Sequence, residues 1–127
     1  MTTAAANPQP LDFQQARDQL RTIAQQLRDA EDFHRDQVQR LADAESAYRK
    51  AVAQAYTRHR ADGKGAGEAD TLAKGDCATL SRERDIAAGM VRAALESLEN
   101  RRGDRASLHR LVEFSMKLNL IGEQREP

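Results

Sequence analysis

The sequence predicts an all-α protein: an elongated antiparallel two-helix hairpin, similar to a coiled coil, with a short third helix at the C-terminus as an alternative end. Three observations predict this fold class. Residues 11–62 contain neither Gly nor Pro, apolar residues recur in them with a helical period, and three Gly fall within residues 62–67. A long helical segment, a Gly-rich break and a second helical segment are typical of a helical hairpin.

Composition supports this fold class and limits the function classes. The 127 residues suffice for one domain; with 4% aromatic residues and no Trp, the core must consist of Ala, Leu, Ile and Val, as in closely packed helices. The 20 basic and 20 acidic residues give zero net charge, which argues against a protein held on nucleic acid by bulk charge. No stretch resembles a membrane span or a signal peptide, so we expect a cytoplasmic protein that binds no membrane.

The first helix is predicted over about residues 12–62. Asp12 is the expected N-cap, with Gln15 as its capping-box partner, and Leu11 is expected to pack on Ala16. We expect the polar residues 1–10 to form a disordered tail. Two heptad rows form the apolar face of the helix: Leu20, Leu27, His34, Leu41, Tyr48 and Ala55, and Ile23, Ala30, Gln37, Ala44 and Ala51.

The second helix is predicted over about residues 68–118, after a turn at residues 62–67. Its apolar pattern resumes with Ala69 and Leu72, and it includes the single Cys77. A shared core is expected to form where the two apolar faces meet. Its expected buried residues are Leu27, Leu41, Tyr48, Leu80, Val91 and Leu98.

Two glycines are weak points of the second helix. Gly75 and Gly103 each cost ~1 kcal/mol in a helix interior, and the pattern leaves open whether the helix breaks at either one. Asp104 could then cap the short third helix. Because the chain after Leu120 is polar, we expect the hairpin over residues 11–120, followed by a second disordered tail over residues 121–127.

An antiparallel hairpin with its turn near residue 65 pairs position i with roughly position 130 − i. Leu20 is then expected near Leu111, and Tyr48 near Leu80 or Arg82. In the same register the basic residues of the second helix face acidic residues of the first: Arg101, Arg102 and Arg105 opposite Asp29, Glu31 and Asp32. The apolar stripes are wider than one seam requires, so we expect the surplus to pack on a second copy, as a homodimer, or on another protein.

The residues that could carry enzyme chemistry have simpler structural interpretations. Cys77 lies on the apolar face, where a free Cys is usually a core residue, and no two of His34, His59 and His109 stand at the spacing of a helical metal pair. The glycines of residues 63–67 lack the Lys-Ser/Thr ending of a phosphate loop. We therefore predict a non-enzymatic protein with no cofactor and no metal.

One group of basic residues near the hairpin turn has no matching acidic segment. The candidate contacts for a partner protein or single-stranded DNA are Arg49, Lys50, Tyr56, Arg58, Arg60 and Lys64. Phosphates need cations that are not already neutralised, and Tyr56 could stack on a base. The alternative is that these charges only keep the end of the helix soluble.

The middle of the chain resembles a group of small proteins of tailed phages and prophages, over about residues 38–118. The shared features are Ala44, Ala47 to Ala51, Asp62 to Lys64, Ala69, Ala73 to Asp76, Arg84, Asp85, Ala87 and Ala88. The genes of those proteins often lie near genes for single-strand annealing recombinases or other replication proteins. The resemblance implies a phage origin and a location in the host cytoplasm; no catalytic residues are established in those proteins, so none is carried over.

Two functions are consistent with these features. The first is a phage accessory protein that assists DNA recombination or replication through a partner protein or through weak contact with single-stranded DNA. The second is a small adaptor that binds a host protein and inhibits or redirects it. Zero net charge favours protein over DNA as the principal partner.

Overall fold

The computed structural model describes the backbone of residues 12–125 and the side chains of residues 12–120. Over these residues the chain consists of helices and short connections without a strand, so the all-α prediction is confirmed. No helix in this part of the chain is long and apolar enough to cross a membrane. The helices are α1 (Phe13–Ala61), α2 (Ala66–Asp76) and α3 (Ala78–Arg125).

The short helix lies in the middle of the chain, which corrects the prediction of a short helix at the C-terminus. The second predicted helix is divided at Cys77, and α3 continues through Gly103 and past Leu120. The Cys77 N–H donates to the Ala73 carbonyl at 3.2 Å and closes α2, while its own carbonyl accepts the Ser81 N–H at 2.9 Å and opens α3. Cys77 thus serves both helices, and its backbone, with φ −101° and ψ 20°, departs from the helical conformation at the point where the two helices meet. A single Gly103 costs only ~1 kcal/mol and is tolerated within a helix of 48 residues.

Both ends of α1 are fixed by local hydrogen bonds. The Asp12 carboxylate accepts the N–H groups of Gln14 at 2.9 Å and Gln15 at 3.4 Å, which confirms Asp12 as the N-cap. At the other end Gly63 has φ 89°, and the Lys64 N–H donates to the His59 carbonyl at 3.1 Å. This is a Schellman ending, which needs a left-handed residue and so favours Gly. The predicted contact of Leu11 and the predicted tail 1–10 lie outside the described residues.

The chain divides into two compact units. Unit 1 comprises Met1–Asp29 and Leu98–Pro127, and unit 2 comprises Ala30–Ser97. Each unit therefore contains a part of α1 and a part of α3, and unit 2 also contains α2. In both units the two predicted heptad rows of α1 are buried or half-buried, so the predicted apolar face is confirmed.

Small residues form the core of unit 2. Ala55, Ala73 and Cys77 are buried together, with half-buried Tyr48, Ala51, Val52 and Tyr56 packed around them. The burial of Cys77 confirms its interpretation as a core residue. The guanidinium of Arg84 lies 4.4 Å from the ring centre of Tyr48. Tyr48 thus packs against the cluster of Cys77 on one side and Arg84 on the other, and these two residues bracket Leu80 and Arg82, the neighbours predicted for it.

Large side chains are less enclosed than the sequence predicts. Of the six residues expected in the core, Leu27 and Leu98 of unit 1 are buried, whereas Leu41, Tyr48, Leu80 and Val91 of unit 2 are half-buried. No large side chain of the described part of the chain is completely buried. Helices that pack in pairs contact each other along one seam, and this cannot surround a leucine on all sides.

The predicted ion pairs of the Arg101 region are wrong. In unit 1, Arg101 Nη1 donates to Gln26 Oε1 at 2.7 Å, so its partner is a neutral amide. The expected acidic partners are engaged within α1: Asp29 accepts from Gln25 at 2.9 Å, and Asp32 lies 3.3 Å from Arg35. Neighbours one turn away on the same helix are within reach of a short Asp side chain, which favours these local contacts.

Candidate partner-binding surface

The predicted basic residues do not form one patch. Arg49 and Arg58 are exposed, but nine residues along a helix amount to a rotation of about 180°, so they lie on opposite flanks of α1. Lys50 is exposed between these flanks. Arg49, Lys50 and Arg58 are therefore three separate cations, whereas the sequence predicts a single basic group.

The other predicted contact residues are occupied within unit 2. Arg60 Nη1 donates to the Lys64 carbonyl at 3.1 Å, which stabilises the end of α1. The Lys64 ammonium lies 3.9 Å from Glu68, and the Tyr56 ring packs against the buried alanine cluster. Tyr56 is therefore a poor platform for a base, because one side of its ring is already covered.

Polar pairs near the turn have structural roles. His59 Nε2 lies 2.6 Å from Asp76 Oδ2 and joins the last turns of α1 and α2. On α2, the hydrogen bond and the charge of Asp70, 3.0 Å away, raise the pKa of Lys74. Within the described residues there is no cluster of three or more His, Cys, Asp or Glu side chains that could hold a metal ion.

Exposed apolar side chains mark the C-terminal part of α3 in unit 1. Leu111, Phe114 and Leu118 are 50%, 60% and 52% exposed. Their spacings of three and four residues place them on one side of the helix, and we call them the apolar stripe. Leu111, which the sequence predicts near Leu20, is thus half exposed on this side of α3.

A second apolar feature of unit 1 is a groove between its two helices. The groove has a volume of about 480 Å³. Phe13, Ala16, Arg17 and Leu20 line it from α1, and Val112, Met116, Asn119 and Leu120 line it from α3. Val112 thus takes the place near Leu20 that the sequence assigned to Leu111. We call this feature the apolar groove.

Arg17 lines the apolar groove, and further arginines continue from it along the same sides of the two helices. On α1, Arg21 and Arg28 follow at spacings of four and seven residues, on the same side as Arg17. On α3, Arg102 and Arg105 stand on the side of Met116, at multiples of about one helical turn. These five exposed residues are called the basic rim.

Fold and surface together define an all-α protein with two exposed apolar features in unit 1. Compared with protein-family models, curated proteins and solved structures, the chain matched none of them. The sequence predicts surplus apolar surface but does not locate it. The residues that could have located it are Phe13, Phe114 and Met116, which stand outside the predicted apolar patterns.

Proposed function

We propose that the protein is a non-enzymatic interaction protein that acts through the apolar stripe of α3. The observation that carries this proposal is the exposure of Leu111, Phe114 and Leu118, each half exposed or more. Complete burial of such a side chain is worth ~1.5–3 kcal/mol, so about half of that value remains available when a partner covers each one. Three adjacent side chains of this kind favour association over isolation.

The partner that we propose for the stripe is a second copy of the chain. The chain would fold as an antiparallel helical hairpin, and two hairpins would join as a four-helix homodimer. Charge supports this choice. Arg110, Glu113 and Lys117 follow one another along one border of the stripe, with both signs present. When two such helices run antiparallel about Phe114, each Glu113 approaches a basic residue of the other copy.

Sedimentation equilibrium at tens of micromolar protein tests the proposed homodimer. We expect the mass of a dimer for the wild type and the mass of a monomer for Phe114→Glu, because the charge would be buried in the interface. Ile86→Glu is the matched control: Ile86 is also on α3, is 56% exposed and belongs to unit 2. A monomeric wild type, or dissociation by Ile86→Glu in place of Phe114→Glu, would contradict the proposal.

As the setting of this interaction we propose the DNA recombination or replication of a phage. The support is the resemblance of residues 38–118, together with three exposed cations, Arg49, Lys50 and Arg58. No ion pair involves these three residues in the part of the chain that the structure describes. They offer weak contact with single-stranded DNA beside a protein partner, and the alternative partner is a host protein.

A further inference from the structure

The apolar groove differs from the stripe in its charge. Phe114 of the stripe and Met116 of the groove are two residues apart, about 200° around α3, so the two features lie on different sides of unit 1. The basic rim continues from the groove along both helices, and Asp18 of α1 belongs to a separate depression with Gln15 and Thr22. Glu113, three residues before Met116, adds one carboxylate to this side of α3, but the five arginines of the rim outnumber it. An apolar floor with mainly cationic surroundings therefore characterises the groove side.

We propose that the apolar groove is the docking site for an amphipathic helix with acidic flanks from a partner protein. This inference rests on the proposed role as an interaction protein and names the chemistry of one partner. Apolar side chains spaced by three and four residues would enter the groove between Leu20 and Met116. Carboxylates on the flanks of that helix would meet Arg21 on one side and Arg105 on the other.

The positive charges of the rim arginines are not neutralised by carboxylates within the described residues. Within the described residues no ion pair involves Arg17, Arg21, Arg102 or Arg105. Arg28 donates only to the neutral amide of Gln25, at 2.7 Å. Carboxylates from outside the chain would thus meet unneutralised cations, and their affinity would fall as salt screens the charges.

Charge also decides against a second copy as the occupant. A second copy that docked through its own groove side would bring the arginines of one rim against those of the other. The phosphates of a nucleic acid would pair with the rim arginines, but they would leave the apolar side chains of Phe13 and Leu20 uncovered.

A synthetic peptide tests the proposal. The probe is a fluorescein-labelled helix of about 18 residues, with Leu on one face and Glu on both flanks, and its controls are the same peptide with Lys in place of Glu and a dT oligonucleotide of about 20 nucleotides. We expect anisotropy titrations to show binding of the Glu peptide that weakens with salt. The Lys peptide should bind at least about tenfold more weakly.

Variants locate the binding site. The double variant Arg21→Glu, Arg105→Glu should bind the Glu peptide at least about tenfold more weakly than the wild type. The control double variant Arg82→Glu, Arg92→Glu, in unit 2, should bind it with unchanged affinity. Equal binding of the two peptides, preference for dT, or no effect of the rim variants would overturn the proposal. Sedimentation of the same samples separates this failure from that of the homodimer, since the stripe and the groove use different residues.

Discussion

At the scale of single residues, Gly63 is the position where the backbone dictates the amino acid. Its φ of 89° ends α1 and turns the chain toward α2. An L-residue with this conformation costs about 1–2 kcal/mol. A cluster of glycines in the sequence predicts this turn, but it does not reveal which of the three carries the left-handed conformation.

We expect Gly63→Ala to lower the free energy of unfolding by about 1–2 kcal/mol, measured by urea denaturation followed by circular dichroism. Gly67→Ala is the matched control, because Gly67 lies in α2 with open space around it. The control should be as stable as the wild type or more so by up to about 1 kcal/mol. Equal stability of Gly63→Ala and the wild type would show that the turn does not need a left-handed residue.

The exposed cations of α1 are the residues whose replacement should weaken any contact with single-stranded DNA. If the protein contacts single-stranded DNA, replacing Arg49, Lys50 and Arg58 together by Ser should reduce its affinity for a labelled oligonucleotide at low salt. The salt slope should fall by about 0.7 for each phosphate that the variant no longer binds. Arg60→Ser should have a smaller effect on binding, since Arg60 is engaged with the Lys64 carbonyl.

Lack of binding by the wild type, even at low salt, would remove DNA from the proposed function. Loss of binding from Arg60→Ser alone would show instead that the end of α1 binds the DNA. The sequence could identify these residues as basic, but hydrogen bonds such as that of Arg60 depend on the fold of the turn.

At the scale of elements, the chain shows which helix breaks can be predicted. The break at residues 62–67 is predictable because three glycines fall together. The break at Cys77 falls two residues after Gly75, which the sequence marks as a weak point, but the sequence does not decide between a break there and one at Gly103. Conversely, Gly103 is a poor helix former that does not end its helix, since the surrounding turns supply enough hydrogen bonds and contacts.

The continuity of α3 is tested by Gly103→Ala. An added Cβ at Gly103 meets nothing within 4 Å, so the substitution should raise the free energy of unfolding by about 0.5–1 kcal/mol. Thermal and urea denaturation followed by circular dichroism measure the change. A loss of stability would indicate that Gly103 has a non-helical conformation and that α3 is interrupted there.

At the scale of the whole molecule, the helical class and the apolar face of α1 were predictable because burial follows a period of three to four residues. The arrangement of the exposed features was not. A shift of one residue, about 100° around the helix, separates exposed Leu111 from Val112 in the groove. Periodicity alone could not resolve such a shift, and it decides which residues remain free for a partner.

Cross-linking at Phe114 tests whether two copies of the chain associate through the apolar stripe. The only native cysteine, Cys77, is buried, so the wild type should not cross-link on mild oxidation. If two copies join antiparallel about the stripe, Phe114→Cys should form a disulfide-linked dimer on a non-reducing gel, because the two thiols meet near the symmetry axis. Ile86→Cys, in unit 2, should remain monomeric under the same conditions. Equal or faster cross-linking of Ile86→Cys would contradict association through the stripe.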